Sequence, residues 1–151
     1  MTVKDLLILH SGVLDLINFL SRKDISVNTL NFLYPLNRIK KVITNEIDVL
    51  KSLLDPNPEY ENFLKEVKAL NEHKTLSEEE KKDKAEEVNK KYKDAIAKHK
   101  VNSKKIEEIE ESKVNEELQS IIDKNKIDVK YFPENMPISI FERLSVIIRE
   151  S

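Results

Sequence analysis

Apolar residues recur at helical spacing along most of this chain, densely at its two ends and thinly in its middle. The run Leu6-Leu7-Ile8-Leu9 is too short to tell a buried strand from a helical turn by its period. Ser11 suits an N-cap, and Val13, Leu14, Ile17 and Leu20 then recur at helical steps, which predicts a short helix over 12–21. A polar connector follows over 21–27. Leu30, Leu33, Leu36, Ile39, Ile43, Ile47, Leu50 and Leu54 predict a long amphipathic helix, with a kink or late start at Pro35, which removes a ladder bond. Asp55-Pro56-Asn57-Pro58 ends it and begins the next, with Asn57 as cap and Pro58 at the first helical position. Tyr60, Phe63, Leu64, Val67 and Leu70 carry that helix to about residue 72.

Ser77 and Glu80 have capping-box spacing and open a stretch to residue 126 that is almost wholly charged. Glu80–Lys84, Glu86–Lys90, Glu87–Lys91 and Asp94–Lys98 are i,i+4 pairs with the acid first, each worth a few tenths of a kcal/mol. The apolar seam is Ala85, Val88, Tyr92, Ala95, then polar His99 and Asn102, then Ile106 and Ile109. The phase slips after Ile109 to Val114, Leu118, Ile121 and Ile122. The stretch is either one helix with a stutter or a hairpin broken at Val101-Asn102-Ser103. Ile127 to Tyr131 alternates apolar and polar and predicts a strand closed by Pro133. Its backbone partner is expected at residues 6–9 or in another subunit. Ser139 and Glu142 form a second capping-box spacing before a terminal helix with Ile140, Phe141, Leu144, Ile147 and Ile148.

The expected fold is mainly α: a helical domain with a long charged coiled-coil-like arm or helical hairpin and at most one or two short strands. One domain is expected, built of N-terminal helices over 1–76, a charged arm over 77–126, and a strand and helix over 127–151. Composition agrees, since charged residues make up 36% of the chain and hydrophobic ones 39%, and the shortfall of apolar residues lies in the arm. The net charge of −2 provides no global field for nucleic acid or an acidic membrane. Without cysteine there is no disulfide framework, and no apolar run reaches spanning length. The first residues lack a signal-peptide layout, so a soluble product of the virion or host cytoplasm is expected.

Candidate chemistry is sparse. His10, His73 and His99 lack ligand spacing, Asp5, Asp15 and Asp24 fall on different elements, and the single glycine, Gly12, cannot form a phosphate cradle. No enzyme, cofactor or metal is expected. Lys98, Lys100, Lys104 and Lys105 could touch phosphates, but flanking acids and the absence of arginine from this cluster disfavour nucleic acid. The residues expected to hold a protein partner are Val88, Tyr92, Ile106 and Ile109 on the seam, and Ile138 and Phe141 in the 127–141 segment. The C-terminal group of Phe132, Met136, Ile138, Ile140 and Phe141 reads first as core packed against the 30–54 helix, and otherwise as a docking segment for a neighbouring subunit.

The 30–54 helix, with Leu33, Ile39, Ile43 and Glu46, resembles the leading helix of small helical proteins of tailed bacteriophages and prophages. Glu116-Glu117-Leu118 through Ile127-Asp128-Val129, then a proline-bounded link and a helix with Leu144, resembles their C-terminal end. A charged middle of variable length separates the two in that group, and the lysine-rich middle here is long for it. The resemblance covers about half the chain and transfers no catalytic residue. It implies a virion or assembly component of the head–tail or tail region, acting through other virion proteins or copies of itself. The alternatives are a small binding protein that inhibits or regulates a host factor, and a nucleic-acid-associated accessory protein.

Overall fold

The computed structural model describes residues 1–22 and 30–150, so most of the expected 21–27 connector, with Asp24, lies outside the described residues. The chain is mainly α, with 77% of the described residues helical. In order it forms α1 (Val3–Leu20), α2 (Leu30–Ser52), α3 (Pro58–Glu72), α4 (Glu78–Lys91), α5 (Lys93–Glu111), α6 (Glu116–Lys124), strand β1 (Ile127–Asp128), α7 (Ile138–Arg143) and strand β2 (Ile148–Arg149). These gather into two compact units, one of residues 1–51 with 109–151 and one of residues 52–108.

The first unit holds the main core. Helix α1 begins earlier than the spacing after Ser11 suggests, because Thr2 and Asp5 form a capping box. Thr2 Oγ1 accepts from the Asp5 N–H at 3.2 Å, and Asp5 Oδ2 accepts from the Thr2 N–H at 2.8 Å. That backbone bond, then the Thr2 hydroxyl, holds the Asp5 carboxyl below its ordinary pKa. Val3, Leu6, Leu9, Val13, Leu16 and Phe19 form one buried stripe, so residues 6–9 are helix and not strand. Ser11 is interior to that helix and caps nothing.

Helix α2 starts at Leu30 and carries Pro35 inside it. It buries Phe32, Leu36, Ile39, Ile43 and Ile47, while Leu30 and Leu33 from the expected stripe are exposed. Each such side chain, fully buried, contributes about 1.5–3 kcal/mol.

The chain re-enters this unit at Ile109. The Val3 N–H donates to Ser112 O at 2.9 Å, the Val114 N–H donates to Met1 O at 3.1 Å, and Thr2 and Lys113 form an antiparallel bridge. Asn115 then caps α6, its Oδ1 accepting from the N–H groups of Glu117 and Leu118 at 2.7 and 3.2 Å. The phase slip in the sequence is therefore a helix end.

Strand β1 is shorter than the alternation over 127–131 predicts. Asp128 accepts from the Lys130 N–H at 3.1 Å and turns Val129–Tyr131 into a single 3-10 turn. The partner of β1 is β2, parallel, with Ile127 opposite Ile148 and Asp128 opposite Arg149. The terminal helix is correspondingly short. Pro137 occupies the N-cap position of α7, Ser139 lies inside the helix, and the chain leaves α-geometry after Arg143 through a 3-10 turn, Ser145–Ile147.

The second unit is helical throughout. α3 and α4 form a hairpin across residues 73–77, where Ser77 and Glu80 make the expected capping box with bonds of 2.9 and 3.2 Å. Asn57 stands at the N-cap of α3, but its side chain donates to Ala95 O at 2.9 Å and makes no cap bond. The helix after Ser77 does not break at 101–103. It yields at Tyr92, where φ is −105° and ψ 22°, while Tyr92 N–H to Val88 O at 3.1 Å and Ile96 N–H to Tyr92 O at 2.9 Å preserve the ladder. Asn102 lies within α5, buried, and its Nδ2 donates to Asp55 O at 2.9 Å.

Candidate protein-docking crease

The seam along α4 and α5 faces α3 of the same chain. Tyr92 is buried with its ring 5.8 Å from Phe63, and His99 stacks flat on Tyr60 at 3.8 Å. Glu66 accepts from Lys91 Nζ at 2.6 Å and from the Tyr92 hydroxyl at 2.7 Å. The Lys91 bond, then the Tyr92 bond, lowers the Glu66 pKa, and the same carboxylate raises that of Tyr92. Val88 is half-buried on this seam and Ile106 is exposed, whereas Ile109 packs against the core of the first unit.

The four lysines do not converge. Lys98 donates to Pro56 O at 3.2 Å and Lys105 pairs with Asp55 at 3.5 Å, both at the turn before α3. Lys100 and Lys104 are exposed on other faces of α5. Asp5 serves its cap, and Asp15 receives Arg143 at 2.7 Å. His10 bonds Thr44, His73 bonds Thr75, and His99 lies 3.4 Å from Ser103. Among the described residues no group of three or more His, Asp or Glu could hold a metal, and no helix is long and apolar enough to cross a membrane.

The remaining pair, Ile138 and Phe141, does come together. Between β1 and α7 the chain folds into a crease of about 530 Å³, walled by Val129, Phe132, Met136, Ile138 and Phe141. Phe132 anchors it, packed edge-on against Phe32 of α2 at 5.2 Å and against Phe141 at 6.4 Å. Two proline-led turns set the far wall: the Met136 N–H donates to Pro133 O at 3.2 Å, and the Ile140 N–H to Pro137 O at 3.0 Å. Ile138, at the head of α7, is 75% exposed beside these core-anchored rings. Lys130 and Glu134 stand at the rim, with Lys130 held by Asp128 at 3.2 Å. The walls of the crease are mostly apolar, the kind of surface on which a ligand or a partner side chain can be buried. Phe132 belongs to the C-terminal apolar group expected to pack as core against the 30–54 helix, and it does so through Phe32. Its contact with Phe32 joins residues a hundred positions apart.

No family model matches the chain, and no curated protein or solved structure matches it.

Proposed function

We propose that this chain is a non-enzymatic structural or assembly protein that works by holding another protein chain in the crease between β1 and α7. The observation that carries this reading is Ile138, a large aliphatic side chain 75% exposed on a frame fixed by buried Phe132. Exposed aliphatic surface next to rigid aromatic anchors is the kind of site that takes an apolar side chain from a partner. The occupant it fits is an amphipathic helix or extended segment bringing one or two bulky apolar residues, with polar groups toward Lys130 and Glu134. The resemblance of the 30–54 helix and the 116–144 region to small proteins of tailed phages supports the particle of such a phage, in its head–tail or tail region, as the setting.

The test is a photoreactive side chain at position 138, with the chain expressed among the products of its own genome neighbourhood. A discrete crosslink to one virion protein, lost in Val129→Glu at an exposed crease wall while the thermal transition is unchanged, is the expected result. Absence of any crosslink from 138, or crosslinks indifferent to Val129→Glu, overturns the docking site.

A further inference from the structure

The outer face of α2 carries a second, separate groove. Tyr34, Arg38, Lys41, Val42 and Asn45 line one hollow of about 520 Å³. Val42, Asn45, Glu46, Val49, Glu117 and Ile121 line another of about 220 Å³, and the two share Val42 and Asn45. They form one track along α2, with α6 walling its second half. Its charge is ordered. Arg38 and Lys41 stand in the first half and Glu46 and Glu117 in the second, and none of the ion pairs among the described residues uses any of these four. Large apolar groups lie along the same track, with Tyr34 64% exposed and Val49 57% exposed.

We infer that this track is the interface for a second copy of the same chain, docked antiparallel with the two α2 helices face to face. A two-fold axis near Val42 and Asn45 sets the basic half of each track over the acidic half of the other, so a single pattern satisfies both copies. A parallel arrangement would place like charges together and is repelled. At the centre the apolar flank of Val42 and the uncharged Asn45 can approach without burying an unpaired ion. The ordering of charge along one helix face selects a copy of this chain over a nucleic acid, which would meet Glu46 and Glu117, and over an acidic peptide, which only half of the track attracts.

Light scattering coupled to size exclusion, at successive concentrations, tests this directly. The wild-type chain is expected at twice its 17.6 kDa mass. Arg38→Glu and Glu46→Arg each turn two attractions into two repulsions and weaken dimerisation by about tenfold or more, and the double variant regains it. Circular dichroism verifies that each variant keeps its helicity. Asn45→Cys, in a chain that has no cysteine of its own, is expected to give a disulfide-linked dimer on mild oxidation, where Lys65→Cys on α3 does not. A wild-type monomer at every concentration overturns the inference. A dimer indifferent to both charge reversals does so too, as does a double variant that stays monomeric or an Asn45→Cys chain no more crosslinked than the control.

Discussion

Gly12 and Arg143 touch at the crossing of α1 and α7: a Cβ on Gly12 would lie 2.9 Å from the Arg143 Cβ and 3.2 Å from Leu144 Cδ2. The single glycine of this chain thus sits inside a helix, where it is unfavourable, because a second helix needs the space. Arg143 fastens the crossing, donating to Ser11 Oγ and to Asp15 Oδ2, each at 2.7 Å.

This contact reverses the usual sign of a helix substitution. Gly→Ala inside a helix ordinarily stabilises by about 0.5–1 kcal/mol. Gly12→Ala is expected to destabilise instead, by about 1–3 kcal/mol, because the atom 2.9 Å away is the Arg143 Cβ, which is fixed to the α7 backbone and is no flexible side-chain end. Thermal denaturation gives the answer, and a stabilised variant would show that the crossing relaxes freely.

The clasp around that crossing is partly exposed, so its contribution is modest. A double-mutant cycle on Asp15→Asn and Arg143→Lys is expected to show a coupling of about 0.5–1 kcal/mol that shrinks in salt. Urea unfolding of the four proteins measures it. A coupling of zero would mean that Gly12 and the packing of Leu144 hold the crossing alone.

Tyr92 should ionise above the ordinary tyrosine value. Its hydroxyl donates to Glu66, which raises its pKa above the ordinary 10.0, while Glu66 lies below the ordinary 4.5. The stability this pair lends is complete between those two values. It is lost as pH rises through the Tyr92 value in the folded state, and as pH falls through that of Glu66. Ultraviolet absorbance titration of the four tyrosines should show one late step that vanishes in Tyr92→Phe and returns toward normal in Glu66→Gln. A late step that survives Tyr92→Phe would assign it elsewhere.

His10 gives the first unit a separate acid sensitivity. Burial, then Lys51 and to a lesser degree Lys40, pushes its pKa below 6.5 against the pull of Asp48, and its Nε2 lies 3.3 Å from Thr44 Oγ1. The fold therefore disfavours the charged ring. Stability is full above pH 6.5 and declines as pH falls toward and through the lower value of the folded state. His10→Gln should remove that slope while leaving the carboxylate-dependent loss at lower pH. Chemical-denaturation midpoints across the range decide it, and an unchanged slope would clear His10.

What was legible in the linear pattern is what local chemistry determines. The mainly helical class, the start of α3 at Pro58, the capping box at Ser77 and the buried face of Leu36, Ile39, Ile43 and Ile47 all follow from neighbours within a turn or two. The crease was legible in part, since Phe132, Ile138 and Phe141 stand out as greasy residues around Pro133 and Pro137. Where competing local signals met, the tertiary structure decided. Ser11-Gly12 reads as a helix start, yet α1 runs through it because Gly12 is needed for the approach of Arg143. Val101-Asn102-Ser103 reads as a break, yet it stays helical because the Asn102 amide satisfies the Asp55 carbonyl. Ile148 reads as helix, yet it pairs with Ile127, whose strand lacked a partner among its neighbours. In each case a residue far off in sequence supplies the hydrogen bond or the close contact. Periodicity reports only which face of an element is apolar, and such long-range partners are what choose between the conformations that face allows.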